Sequence, residues 1–174
     1  DLREFDKNYQ EKCQKNGIKY VSLPFTHVLR ERKDLIFDYE NNGKVQDNFV
    51  KQIVTLVENF KLGNAYLGCQ YGVDRTNFAL VLEYIFNYNS THKAPKIFPS
   101  NYTTRNALLN KNINLVKKII KRLSSEQREI LNLPEEFDEV ILPQRIGAIV
   151  KENTTGITKD ILQRLKHKIC DLML

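Results

Sequence analysis

Ala65-Tyr66-Leu67-Gly68-Cys69-Gln70-Tyr71-Gly72-Val73-Asp74-Arg75-Thr76 is the stretch on which the fold turns, because it sets a thiol and a guanidinium around a glycine between two apolar runs. Residues 65–68 are short and mostly apolar, which predicts a buried strand, and residues 76–86 are apolar for long enough to predict a buried helix. Cys69 then stands at a strand-to-helix turn. A strand feeding a helix predicts an α/β fold: a small central, mostly parallel sheet flanked by helices, with a helical C-terminal half.

Such a turn has chemistry of its own. Successive backbone N–H groups point inward and form an anion-binding nest, and the N-terminus of the following helix adds roughly half a positive charge. The same field favours a thiolate over a thiol, which makes Cys69 a candidate nucleophile. Arg75 offers a planar fork that matches two phosphoryl oxygens, a geometry that a lysine ammonium lacks. Gly72 lets the backbone approach a ligand closely, and the Thr76 hydroxyl can donate to the sulfur. Gln70, Tyr71, Gly72, Val73, Asp74 and Arg75 would line the bound phosphate, with Tyr71 at the mouth of the site. Cysteine, glycine, arginine and then serine or threonine fall at these spacings by chance in roughly 5 of 10,000 chains of this composition. The plainer alternative is a buried cysteine acting as a small hydrophobe beside a helix start.

On these residues the chain resembles the protein tyrosine phosphatase superfamily, whose signature is His-Cys, five residues, Arg, then Ser or Thr. The Asp74-Arg75-Thr76 ending looks most like bacterial tyrosine and lipid phosphatases, and Sac-type and myotubularin-type phosphoinositide phosphatases share it. Asp1-Leu2-Arg3 and the segment Gly17-Ile18-Lys19-Tyr20-Val21-Ser22-Leu23-Pro24 are similar to upstream segments of the same families, so the resemblance covers at least residues 1–90. It implies a phosphatase-like fold and phosphomonoester hydrolysis through a cysteinyl-phosphate, without metal or cofactor. Phosphotyrosine proteins or phosphoinositides are the implied substrates, and a bacterial protein acting inside a host cell is one implied setting.

Two positions depart from the pattern. Gly68 stands where the family has its histidine, and Val73 replaces the lysine common in phosphoinositide-cleaving members. The first departure supports an alternative, a catalytically weak module that binds phosphorylated ligands. A purely architectural domain is the third reading.

Phosphoryl transfer to sulfur also needs a general acid for the leaving oxygen. The resemblance offers two carboxylates of equal standing: Asp38, on a loop roughly 30 residues before the cysteine, and Asp74, beside the arginine. Asp34 and His27 are weaker candidates nearby.

Composition bounds the remainder. A chain of 174 residues, 41% hydrophobic and without a Gly/Ser/Pro-rich linker, fits one domain over residues 1–174, and the Asp1-Leu2-Arg3 match implies that first strands of a longer protein precede it. No apolar run approaches a membrane span and no signal pattern is visible, which predicts a reducing, cytoplasmic setting. Three cysteines without metal-ligand spacing argue against a disulfide framework or a zinc site. Cys13 and Cys170 are candidate resolving thiols for an oxidised Cys69. The net charge of +6 favours anionic partners: phosphorylated protein, inositol phospholipid, or peripheral contact with an anionic membrane surface. Nucleic acid is disfavoured, because no basic stretch is interleaved with aromatics.

Periodicity predicts the helices. Residues 4–16 form one ended by Gly17, a strand follows at 18–23, and a charged loop bordering the site runs from 26 to 46. Apolar positions 49, 50, 53, 54, 56, 57 and 60 make an amphipathic helix. Ile113, Val116, Ile119, Ile120 and Leu123 form a stripe with Lys117, Lys118, Lys121 and Arg122 turned away, and Ser124 with Gln127 reads as a capping box. Residues 157–173 read as a packed C-terminal helix, with a membrane-surface or partner-binding helix as the sharper alternative.

Overall fold

The protein's structure, a computed structural model, describes residues 7–25, 27–30, 34–37, 39–63, 65–68, 74–88, 92–97 and 102–154, with backbone alone for 27–30, 34–37 and 102–105. In chain order its elements are α1 (Lys7–Lys15), β1 (His27–Arg30), β2 (Asp34–Phe37), β3 (Glu40–Asn41), β4 (Lys44–Val45), α2 (Asp47–Lys61), α3 (Asp74–Phe86), α4 (Tyr102–Arg122) and α5 (Ser125–Ile130). A 3-10 turn at Glu135–Phe137 precedes the last helix among the described residues, α6, over residues 141–154.

The core is built on α3. Its residues are apolar on every side, and Phe78, Ala79, Val81, Leu82 and Ile85 are wholly buried. It packs between α2 and α4. α2 presents Phe49, Val50, Ile53, Leu56 and Val57, its predicted apolar face, and α4 presents Ile113, Val116, Ile119 and Ile120. Burying each such side chain contributes roughly 1.5–3 kcal/mol, so the three-helix contact is the main source of stability. At the start of α3, Phe25, Phe49 and Phe78 form an aromatic cluster with centroids 5.7 to 6.4 Å apart. At its end, Phe86 stacks on Phe137 at 6.1 Å.

Polar side chains fasten the helices to one another. Ser124 caps α5 through a capping box, donating from its own backbone N–H to Gln127 Oε1 while its hydroxyl accepts from Gln127 N–H. The buried Gln127 then donates from Nε2 to the Val45 carbonyl at 2.8 Å and to Asp47 Oδ1 at 2.7 Å, tying α5 to the start of α2. Asn153, 1% exposed, accepts from Ile97 N–H and donates to the carbonyls of Pro95 and Ile149. This holds the irregular segment 93–97 on α6.

The expected central, mostly parallel sheet is not what the structure contains. The described residues are mainly helical, and their strands make two antiparallel pairs, β1 with β2 and β3 with β4. Neither segment predicted as a sheet strand joins a ladder. Residues 65–68 are irregular, with Ala65 exposed and Tyr66 87% exposed, so their apolarity does not buy burial. Residues 18–23 are also irregular: Ile18 is 57% exposed, and only the end of the run is buried, through Leu23 and then Phe25. A short apolar run satisfies the composition of a strand without supplying the neighbour whose N–H and C=O groups a ladder needs.

The strands lie instead where a charged loop was expected, between residues 26 and 46. Asn42 and Gly43 both have positive φ, 50° and 77°, in the two-residue turn between Glu40–Asn41 and Lys44–Val45. Asn-Gly is the preferred filling for that turn, so this hairpin had a sequence signal. α1 ends at Lys15 with Gly17 at φ 67°, as its glycine stop predicts. The helix predicted over 157–173 lies outside the described residues. No helix among the described residues is long and apolar enough to cross a membrane.

Candidate functional site

α3 begins at Asp74, which places Asp74, Arg75 and Thr76 together in its first turn. An aspartate there complements the positive end of the helix dipole. Asp74 and Arg75 are half-buried, whereas Thr76 and Asn77 are buried and Phe78 is locked in the aromatic cluster with Phe25 and Phe49. Packing therefore fixes the helical end of the motif from its inner side and leaves Asp74 and Arg75 partly exposed. This is the part of the predicted site that the structure brings together.

The other predicted residues divide in two groups. Cys69, Gln70, Tyr71, Gly72, Val73 and Asp38 lie outside the described residues, as does Cys170. His27 and Asp34 belong to the β1–β2 hairpin, where His27 faces Phe37 at one end of the register and Asp34 faces Arg30 at the other. Cys13 is half-buried on α1. Gly68, the position of the missing histidine, is irregular, and a Cβ there would come within 3.1 Å of the Tyr66 ring. Since that ring is exposed, it can swing aside at little cost.

Sequence reasoning missed a second polar constellation, at the opposite end of α3. Glu83 is 2% exposed, accepts from Asn87 Nδ2 at 2.8 Å, and places its other oxygen 3.0 Å from His92 Nε2. Burial pushes its carboxyl above the ordinary carboxylate range, and Asn87, His92 and the Arg145 charge oppose that rise. Arg145, on α6, stacks its guanidinium 4.7 Å over the Tyr84 ring and donates to the Tyr88 carbonyl. His92 meets the same ring edge-on at 5.3 Å. One signal was local, since Glu83 and Asn87 are four apart on a helix. The partners from residues 92 and 145 carried none.

Next to that end lies a cavity of about 210 Å³ between α2, the end of α3 and α5, lined by Val54, Val57, Lys61, Phe86, Leu131 and Asn132. Phe86 lies about 16 Å along the helix axis from Arg75, so the hollow is remote from the motif. Among the described residues no group of His, Cys, Asp and Glu is arranged to hold a metal ion.

Comparison of this chain with protein-family models, with curated proteins and with solved structures returns no match.

Proposed function

We propose that this protein is a cysteine-dependent phosphomonoesterase, with phosphotyrosine in proteins as its first substrate class and inositol phospholipid as its second. One observation carries the proposal: the run Cys69-x5-Arg75-Thr76 feeds a helix that starts at Asp74, so the arginine and threonine stand at a helix N-terminus. What supports it is the sequence of residues 69–76 and the helix that follows, not the scaffold, since the described residues hold no parallel sheet of the kind the superfamily has.

The chemistry is a double displacement. The Cys69 thiolate attacks phosphorus, and the S–P bond forms as the P–O bond to the leaving group breaks, the leaving oxygen taking a proton from a carboxyl of Asp74 or Asp38. Water then attacks the cysteinyl-phosphate, gives its proton to that carboxylate, and the S–P electron pair returns to sulfur. Arg75 holds two equatorial oxygens throughout, and its worth grows as charge builds there. The scheme calls on neither metal nor cofactor. A thiolate nucleophile of this kind works in a reducing compartment.

A panel of phosphotyrosine peptide, phosphoserine peptide, phosphoinositide and RNA 5′-triphosphate tests the proposal, run with wild type, Asp38→Asn and Asp74→Asn. Release from phosphotyrosine that falls in one of the two aspartate variants is the expected result. No release from any member would defeat it.

Gly68 favours a second reading, a module that holds phosphorylated ligands and turns them over slowly. Under it, Gly68→His raises the rate of phosphate release, and calorimetry with wild type shows phosphopeptide binding without turnover over hours.

A further inference from the structure

The outer face of α4 has no part in the chemistry above. Its charged residues are Arg105, Lys111, Lys117, Lys118, Lys121 and Arg122, all cationic. The inner face carries the buried stripe of Leu109, Ile113, Val116, Ile119 and Ile120, so helical periodicity turns Lys117, Lys118 and Lys121 outward, where all three are exposed. Neither an ion pair nor a hydrogen bond engages these three among the described residues. Arg122 is different, being paired with Glu40 of β3. Lys117, Lys118 and Lys121 fall within little more than one turn, about 6 Å along the axis, which is inside a Debye length of about 8 Å. Such a row costs self-repulsion, and no carboxylate among the described residues pairs with these three lysines to offset it.

We infer that this lysine row is an electrostatic docking surface for an anionic phospholipid bilayer. The lysines stand on a fixed surface, since α3 packs behind the helix, Arg122 ties its end to the β3–β4 hairpin, and Arg128 of α5 donates to the Ile120 carbonyl. Two features favour a bilayer. The free cations are ammonium groups, which act as point charges towards lipid headgroups, while the fork-shaped guanidinium of Arg122 is already engaged. The described outward positions of α4 also carry no large apolar side chain, so contact is by charge at the headgroup level without insertion. The surface lies on α4, so its test does not depend on whether Cys69 turns over phosphate.

The test is co-sedimentation of the full chain with vesicles of phosphatidylcholine alone or with about 30% phosphatidylserine. Binding to the anionic vesicles only, lost as salt rises to about 0.5 M, is expected. Each lysine is worth about fivefold in partitioning, so K117E/K118E/K121E lowers binding at least a hundredfold with unchanged circular dichroism and melting temperature. The control K7E/K12E/K15E makes the same change in net charge on the exposed side of α1 and keeps binding within a few fold. The proposal is overturned if wild type fails to bind anionic vesicles, if the α1 control loses binding equally, or if a short DNA duplex binds more tightly than the vesicles through the same lysines.

Discussion

At its first turn α3 leaves Asp74 and Arg75 half-buried, buries Thr76 and Asn77, and packs Phe78 against Phe25 and Phe49. At its last turns the same helix buries Glu83 and surrounds it with Asn87, His92 and Arg145, contributed by the helix itself, the segment after it and α6. Both ends carry charge, but they handle it differently. The first leaves its charged residues partly exposed, while the second surrounds a buried carboxylate with polar partners, an arrangement that fixes geometry and adds little net stability. Activity is therefore expected to depend on the first end and integrity on the second.

The strongest way to break that division is at the first end. Cys69→Ser removes the nucleophile and lowers phosphate release about a thousandfold or more, and Arg75→Lys lowers it about a hundredfold, as steady-state assays would register. Neither shifts the melting temperature by more than a few degrees. If phosphate release survived in Cys69→Ser, the first end would have no claim to chemistry.

On the segment that follows the second end, the expected losses are in stability. Asn153→Leu strands the buried Ile97 N–H and the Pro95 carbonyl, and costs about 3 kcal/mol in urea denaturation with the kcat of the folded fraction unchanged. A fall in kcat without loss of stability would blur the two ends. Away from both, Ser124→Ala removes the α5 cap and costs about 1 kcal/mol.

The subtlest test concerns Glu83 itself. Its carboxyl is raised in the folded state, chiefly by burial, so its favourable contribution is full below the unfolded value near 4.5 and declines as pH rises through the folded value. Glu83→Gln, which cannot ionise, should therefore gain on wild type as pH climbs from about 4 towards neutrality, in paired denaturation curves. The opposite trend would mean that His92 and Arg145 outweigh burial.

The contrast between the ends also separates what was legible in the sequence from what was not. α2, α4 and the Ser124 cap were readable because each is specified within a few residues: an apolar face at positions 49, 50, 53, 56 and 57, a stripe from Ile113 to Ile120, a serine three before a glutamine. The helix after Cys69 was readable over residues 76–86 from its continuous apolarity, whereas Asp74 and Arg75, expected in the loop before it, belong to its first turn. The sheet was misread because residues 18–23 and 65–68 were judged on apolarity alone, whereas strand pairing is a property of two segments. Asn42-Gly43 was the better cue, since it specifies both arms of its hairpin at once. The polar cluster was invisible for the same reason: Arg145 reaches Tyr88 across 57 residues, and Asn153 reaches Ile97 across 56. No local pattern encodes a contact of that span.

The central claim, that Cys69 takes the phosphoryl group onto its sulfur, is tested most directly by rapid acid quench during turnover of a phosphotyrosine peptide, followed by mass spectrometry of the peptide containing residue 69. A phosphoryl adduct on Cys69 that forms within the first turnover, and is absent from Cys69→Ser, is the predicted result. Phosphate release that proceeds with Cys69 unmodified at every time point would contradict it.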